Sequence, residues 1–172
     1  MNTEDVLILH DKNVEVNKMN LDFEEKKGMR ILVATDGSEY AKKGLKYALS
    51  LASMKNGEII LLHVVNYVPE STPSIWTSPK VEARDKKYVE ELYKEAENLL
   101  TEEMKAIPED ISVIPLIEFG DPSDKILEVA ERVNADLIVI GVRGKSGWKK
   151  IILGSVSDKV LDKAKIPVLV IR

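Results

Sequence analysis

The strongest constraint on the fold is a regular alternation between short apolar runs and longer amphipathic stretches, which starts at Met29. Five nearly continuous apolar runs predict strands: residues 29–35, 58–65, 111–119, 136–140 and 166–171. Such runs are typical of strands buried on both faces, and therefore of a parallel sheet with helices on each side. Four stretches with helical spacing lie between them, and Ser38 and Asp121 are suitable N-caps for two of these helices.

This order of elements predicts a doubly wound, Rossmann-like α/β fold. Its five-stranded parallel sheet has the order 3-2-1-4-5, counted from the strand at Met29, with helices on both faces. The first and fourth strands are then neighbours whose connections leave in opposite directions. A crevice opens at their carboxyl ends, where doubly wound proteins bind ligands. Two segments border it, Asp36-Gly37-Ser38 and a glycine-rich segment that begins at Gly141.

The first 28 residues do not follow this pattern. They contain one short apolar run, Val6–Leu9, followed by polar sequence of mixed charge. We therefore expect residues 1–28 to be an extension or linker, with an optional strand at about residues 5–9. Residues 29–172 are predicted to form the single compact domain.

Composition excludes several classes of function. The 172 residues include 25 Lys and Arg against 29 Asp and Glu, and an acidic chain without a basic block is poorly suited to bind nucleic acid. The absence of cysteine excludes disulfides, thiol catalysis and thiolate metal sites. His10 is far from His63 in sequence, which argues against a histidine metal centre, and His63 is expected to be a hydrogen-bonded structural residue. Neither a membrane span nor a signal peptide is predicted, so we expect a soluble, cytoplasmic protein.

The glycine-rich segment has the properties of an anion site. Gly141 and Gly144 permit positive φ and a close approach of the backbone to a ligand. Gly154 opens the last predicted helix, whose free N–H groups favour phosphate. Ser155 and Ser157 add hydroxyl groups there, and they are expected to cap this helix with or without a ligand. Four basic residues lie in the same segment: Arg143, Lys145, Lys149 and Lys150.

Two common nucleotide motifs fail on their spacing. Gly144-Lys145-Ser146 resembles the end of a P-loop, but Val139 stands where that motif has its first glycine. A GxGxxG dinucleotide fingerprint is also absent. The spacing that does occur is G-x2-G-x9-G-[ST], formed by Gly141, Gly144, Gly154 and Ser155.

That spacing resembles the ATP-binding signature of the universal stress protein family. The resemblance extends over residues 29–172 and includes Ile31–Ser38, Leu61–Val64 and Ile166–Ile171. It implies a domain that holds ATP, or another adenine nucleotide, in the predicted crevice. It also assigns Ala34, Thr35 and Asp36 to the adenosine, and the main chain of Val64 to the adenine. Ile140 and Gly141 would border the ribose. The phosphates would be held by Gly144, Gly154, Ser155, Val156 and Ser157.

Asp36 has two possible roles beside the ligand and one without it. Its carboxylate can accept hydrogen bonds from ribose hydroxyls, or it can share a Mg²⁺ or Mn²⁺ ion with phosphate oxygens. Without a ligand, it would cap the first helix together with Ser38. The sequence alone does not choose among these roles.

The predicted function is that of an ATP-binding regulatory protein of the stress response, with little or no hydrolysis. Positioning phosphates needs only amides, hydroxyls and cations, whereas hydrolysis also needs a group that orients water. The alternatives are a slow ATPase or nucleotidyl-transferring enzyme on the same scaffold, and a dimeric interaction protein without nucleotide. Ile166–Ile171 is an edge strand in the predicted order, and the family resemblance implies a homodimer through it. A protein partner that reads the nucleotide state remains unidentified.

Overall fold

The structure is a computed structural model, and it describes residues 7–8, 28–67, 79–142 and 153–172. At residues 7–8 and 79–86 the description is limited to the backbone. Six strands lie in these ranges: β1 (Leu7–Ile8), β2 (Arg30–Ala34), β3 (Glu58–Val65), β4 (Ser112–Phe119), β5 (Leu137–Gly141) and β6 (Val168–Ile171). Four helices are described with them: α1 (Glu39–Lys55), α2 (Pro79–Met104), α3 (Pro122–Arg132) and α4 (Ser155–Lys163).

The six strands form one parallel sheet with the order β1-β4-β3-β2-β5-β6. The strands from β2 to β6 therefore have the predicted order 3-2-1-4-5, and the predicted fold class is confirmed. The optional strand of the extension is the short β1, which pairs with the outer edge of β4. There Leu7 and Ile8 are in register with Leu116 and Ile117. The extension thus adds a strand at the edge opposite β6.

Prolines lie at two of the element boundaries. α2 begins at Pro79, because the first turn of a helix tolerates proline. β6 begins at Val168 rather than Ile166. Pro167 has no N–H to donate to a neighbouring strand, and its carbonyl instead accepts the N–H of Ile138 at 3.0 Å.

The sheet is covered on both faces, and successive side chains of β2 belong to opposite cores. Ile31 and Val33 pack with apolar residues of α1 and α2. Leu32, between them in sequence, packs with residues of α3 and α4. Because α1 follows β2 on one face and α4 follows β5 on the other, the chain leaves these neighbouring strands in opposite directions. The crevice between their carboxyl ends is therefore where the strand order predicts it.

The amino ends of the central strands are held together by Arg30, which is 3% exposed. Its Nε donates to Oε1 of Glu58 at 2.7 Å, and its Nη1 donates to the carbonyl of Val133 at 2.5 Å. The backbone N–H of Arg30 donates to Oδ2 of Asp136 at 2.8 Å. One residue therefore ties β2 to β3, to the end of α3 and to the residue that precedes β5.

Glu58→Ala is expected to destabilise the fold, because it removes a carboxylate from a buried guanidinium. The free energy of unfolding should fall by about 3 kcal/mol, as when one partner of a buried ion pair is removed. Urea denaturation measures this change. The matched control is Glu131→Ala, which removes a contact of similar length to Lys165, 2.7 Å, between two exposed side chains. The control should leave the midpoint in place, and equal losses in both variants would contradict the assignment.

Candidate functional site

The crevice lies at the carboxyl ends of β2 and β5, where Ala34 and Ile140 are in register. Beyond β5, the N–H of Val142 donates to the carbonyl of Ile171 at 2.8 Å. The carbonyl of Val142 accepts the N–H of Gly154, also at 2.8 Å. These bonds attach the start of α4 directly to the end of β5, although the two are separated by a long segment in sequence.

The N-termini of α1, α3 and α4 differ in how they are capped. In α1, the hydroxyl of Ser38 accepts the N–H of Ala41, and in α3 the carboxylate of Asp121 accepts N–H groups of the first turn, as the sequence predicts. The N-cap of α4 is Gly154, and no side chain caps it. Among these three helices, α4 alone starts without a side-chain acceptor for its first amides. A helix end of this kind favours an anion through its N–H groups and its dipole.

Asp121 shows what a carboxylate gains at a capped helix end. The pKa of Asp121 is lowered, first by the hydrogen bond from the hydroxyl of Ser123 and further by backbone N–H groups and by Lys159. Its Oδ2 lies 3.6 Å from Nζ of Lys159 on α4. The N-cap of α3 is therefore a negative group, whereas the N-cap of α4 is a glycine.

Ser157 has a structural role that differs from the predicted one. Its side chain is 2% exposed, and its hydroxyl lies 3.1 Å from the carbonyl of Val142 and 3.0 Å from that of Gly154. The hydroxyl therefore donates its proton to a backbone carbonyl, and Ser157 does not act as the acceptor at the N-cap of α4. The expectation that Ser155 and Ser157 cap α4 is wrong, because the cap is Gly154. Ser157 instead fixes the first turn of α4 against β5.

The turn between β2 and α1 has the opposite character, because its amides are already engaged. The N–H of Thr35 donates to the carbonyl of Leu62 at 2.8 Å, and that of Gly37 donates to Oγ1 of Thr35 at 3.1 Å. The N–H of Ser38 donates to Oδ1 of Asp36 at 3.0 Å. Gly37 has φ of +73°, which suits glycine. This turn therefore presents the half-buried carboxylate of Asp36 and offers little to a phosphate.

Four of the predicted contact residues belong to one apolar cluster, on the face of the sheet covered by α3 and α4. They are Ala34, Val64, Ile140 and Val156. Ile140 is buried, and the other three are half-buried. An apolar surface beside a few polar groups is the usual lining of a small-molecule site. A purine ring fits the chemistry of such a surface better than a charged group does.

Thr35 is turned away from this cluster. Its hydroxyl donates to Oε1 of Glu103 on α2 at 2.8 Å, on the other face of the sheet. Its carbonyl lies 2.8 Å from Nδ1 of His63, and that nitrogen must carry the proton because a carbonyl only accepts. The expectation that His63 is a hydrogen-bonded structural residue is confirmed. The Thr35 side chain is therefore hydrogen-bonded to α2 and does not line the apolar cluster.

Comparison with known proteins identifies the family. The universal stress protein family matches residues 29–172. The chain belongs to this family. Universal stress protein MJ0577 of Methanocaldococcus jannaschii is 36% identical over 152 residues, which covers 83% of this chain and 94% of that protein. Stress response protein NhaX of Bacillus subtilis is 34% identical over 168 residues, with coverage of 83% and 97%.

Solved structures of universal stress proteins share the fold. The structure of MJ0577 superposes with a TM-score of 0.71 at 33% identity, and the match covers 83% of this chain and 94% of that one. A universal stress protein in complex with cAMP matches with a TM-score of 0.53, and one from Archaeoglobus fulgidus in complex with dAMP with 0.52. Both are 23% identical to this chain and cover 84% of it, and 97% and 98% of their own lengths match. At that identity they show the common fold.

Two predicted site residues of this universal stress protein domain, Arg143 and Gly144, lie outside the described residues, as do the lysines of the same segment. Their contacts with phosphate stay predictions. The structure does bring together the other predicted residues around the crevice, from the ends of β2, β3 and β5 and the start of α4. Of these, Thr35 directs its side chain to Glu103 on α2 rather than into the crevice.

Two acidic residues near the crevice were missed by sequence reasoning. Glu118, 2% exposed, is in register with Val64, and its Oε1 lies 2.6 Å from Nη2 of Arg132 on α3. Glu103, 8% exposed, accepts the hydroxyl of Thr35. A glutamate near the end of an otherwise apolar strand was a usable signal for Glu118. Nothing in the helical pattern of α2 distinguishes Glu103 from its exposed neighbours.

The described ranges contain no group of three His, Cys, Asp or Glu side chains arranged to hold a metal ion. None of the helices described there is both long and apolar enough to cross a membrane.

Proposed function

We propose that this protein binds ATP, or another adenine nucleotide, in the crevice and acts as a regulatory protein of the stress response. Nucleotide occupancy would change its conformation or its choice of a protein partner. The observation that carries the proposal is the start of α4, which has no side-chain cap and is bonded to the end of β5 beside the Asp36 turn. Because ATP is a nucleotide of the cytoplasm, we place the protein there.

The different chemistry of the two borders of the crevice defines the orientation in which we propose the nucleotide binds. Phosphates would lie at the N-terminus of α4, with Gly154 to Ser157 and the glycines Gly141 and Gly144, and Arg143 would add positive charge. The ribose would lie toward Asp36 and Ile140, and the adenine against Ala34 and the main chain of Val64. Adenine nucleotides are the ligands named for two solved proteins of the family, cAMP and dAMP. The proposal extends this class of ligand to the present chain.

Slow or absent hydrolysis is part of the proposal. Fast phosphoryl transfer needs a group that orients the attacking water and charges that stabilise the leaving phosphate. Asp36 already accepts the N–H of Ser38, and Nδ1 of His63 is bonded to the carbonyl of Thr35. Both groups serve the backbone, so neither is arranged as a base beside the phosphates. Turnover of ATP should stay well below about one per second, a rate ordinary for enzymes.

A metal ion would enter with the nucleotide rather than reside in the protein. The donor chemistry fits such a role, because the Asp36 carboxylate and phosphate oxygens together are ligands that Mg²⁺ and Mn²⁺ accept. The ion would neutralise charge on the triphosphate. The residues of the chain that act at this end are then Asp36 and the amides of α4.

Gly154→Asp is expected to strengthen the helix and to weaken nucleotide binding. The new carboxylate would cap α4 and raise the free energy of unfolding by a few tenths of a kcal/mol. The same charge would occupy the phosphate position, so ATP affinity measured by calorimetry should fall by about tenfold or more, which is 1.4 kcal/mol or more.

Ser112→Asp is the matched control for Gly154→Asp, because it adds the same charge at the exposed amino end of β4. This variant should bind ATP as the unmodified protein does. Unchanged ATP affinity in Gly154→Asp would contradict the proposed phosphate site at the start of α4. Phosphate release from the same samples tests the hydrolysis statement, and turnover at or above about one per second would favour an enzyme.

Asp36→Asn tests the carboxylate without disturbing the turn, because the amide oxygen of asparagine can still accept the N–H of Ser38. ATP affinity should fall by about tenfold, the size of one lost charge-assisted interaction. If the carboxylate acts on the ribose, the loss is the same with Mg²⁺ and with EDTA. If it acts through the metal, the loss occurs only with Mg²⁺. Equal affinity for both variants, Asp36→Asn and the exposed control Asp110→Asn, would exclude Asp36 from the site.

The division of the chain belongs to the same proposal. Residues 29–172 would form the nucleotide-binding domain, and residues 1–28 an extension to it. β1 pairs with β4, at the far edge of the sheet from the crevice border formed by β5 and α4. The extension would therefore add to the sheet without entering the nucleotide site.

A homodimer through β6 completes the proposal. β6 is the last strand of the sheet, and Val168, Leu169 and Val170 are half-buried. An apolar edge strand offers unpaired main-chain groups to a second copy, antiparallel across a two-fold axis. Sedimentation at micromolar concentration should show a dimer, and Val168→Lys should shift it toward monomer. Ser112→Lys, the control at the start of β4, should remain dimeric, and a monomeric unmodified protein would refute the interface.

A further inference from the structure

Glu103 is a buried carboxylate to which the nucleotide proposal gives no role. It is 8% exposed and lies in the last turn of α2. Its Oε1 accepts the hydroxyl proton of Thr35, a residue that is itself 5% exposed, at 2.8 Å. Burial of a charged group is unfavourable unless hydrogen bonds compensate it. Burial of the Glu103 carboxylate therefore costs free energy of folding, and a functional role would account for that cost.

The hydroxyl of Thr35 connects Glu103 to the turn that carries Asp36. Because its proton goes to Glu103, its lone pairs are directed elsewhere, and one accepts the N–H of Gly37 at 3.1 Å. Gly37 stands between Asp36 and Ser38, whose N–H donates to Oδ1 of Asp36. The orientation of the Thr35 hydroxyl thus determines whether its two hydrogen bonds, to Glu103 and from Gly37, can form together. These contacts connect α2, through the Thr35 hydroxyl, to the backbone of the turn that carries Asp36.

We infer that Glu103 is a positioning residue for nucleotide binding, which acts through Thr35 on the Asp36 turn and couples α2 to occupancy of the crevice. The inference rests on the proposed function and names a regulatory connection within it. Replacement of a buried charged group by a well-packed apolar side chain is often neutral or stabilising for a fold. Stability and nucleotide affinity should therefore respond differently to changes at Glu103.

The test compares Glu103→Leu, Glu103→Gln and Glu102→Leu by calorimetric titration with ATP and Mg²⁺ and by thermal unfolding. Glu103→Leu should weaken ATP binding about three- to tenfold, as expected for one misplaced hydrogen-bonded group, without lowering the unfolding midpoint. Glu103→Gln should bind nearly as the unmodified protein does, because its amide oxygen accepts the same proton. Glu102 is exposed on the same helix, so Glu102→Leu should leave the affinity unchanged.

A double-mutant cycle with Thr35→Val identifies the route. If both residues act through one hydrogen bond, Thr35→Val with Glu103→Leu should lose no more affinity than the larger single loss. Thr35→Ser keeps the hydroxyl and should therefore bind ATP with nearly the affinity of the unmodified protein. This pair of threonine variants also tests the route if Glu103→Leu does not fold.

Coupling is reciprocal, so ATP should also act on α2. In the unmodified protein and in Glu102→Leu, ATP should slow amide hydrogen exchange in residues 99–104. In Glu103→Leu, at ATP concentrations that saturate the site, this protection should be lost. A merely structural role for Glu103 would leave the protection intact.

The outcomes separate the two proposals. If the unmodified protein does not bind ATP, the proposed function fails and the inference fails with it. If the unmodified protein binds ATP and Glu103→Leu binds equally well, only the inference is overturned. Additive losses in the double variant would likewise overturn the route through Thr35.

Discussion

The carbonyl of Val142 is the point on which the candidate site depends. It accepts the N–H of Gly154 at 2.8 Å and lies 3.1 Å from the hydroxyl of Ser157, just beyond the end of β5. These bonds fix the first turn of α4 at the carboxyl edge of the sheet, and the packing of Val156 and Val160 in the apolar cluster adds to them. The bonds attach the positive end of α4 to the end of β5, whose neighbour β2 leads into the Asp36 turn. The glycine cap matters because it gives the first amides of that helix no side-chain acceptor at the N-cap position.

The two borders of the crevice differ because amides of the turn after β2 are hydrogen-bonded to side chains, whereas no side chain caps α4. In the turn after β2, the N–H groups of Gly37 and Ser38 are bonded to side chains of the same turn. At α4, the cap has no side chain to do so. A ligand with a negative end and a neutral, partly apolar end matches this arrangement, and an adenine nucleotide is such a ligand. The chain belongs to the universal stress protein family, and the proposed nucleotide binding would use this arrangement.

Local sequence predicted the helix ends well where the cap is a matter of neighbouring residues. Ser38 and Asp121 cap α1 and α3 as expected, because their side chains reach only two or three residues along the chain. The same reasoning failed for Ser157. Its hydroxyl is bonded to the carbonyl of Val142, fifteen residues earlier in sequence. That partner is available only because the fold places the start of α4 against the end of β5.

The sequence alone determined the doubly wound sheet, its strand order and the position of the crevice, because alternating periodicity and right-handed crossovers leave few other arrangements. It also placed Asp36 and the glycine signature at that crevice. Tertiary structure decided which atoms are engaged there. The Thr35 side chain faces Glu103 across the sheet rather than the crevice, and the amides of the Asp36 turn are already bonded. Such assignments depend on the direction of single side chains within packed cores, and one-dimensional patterns carry no information about that direction.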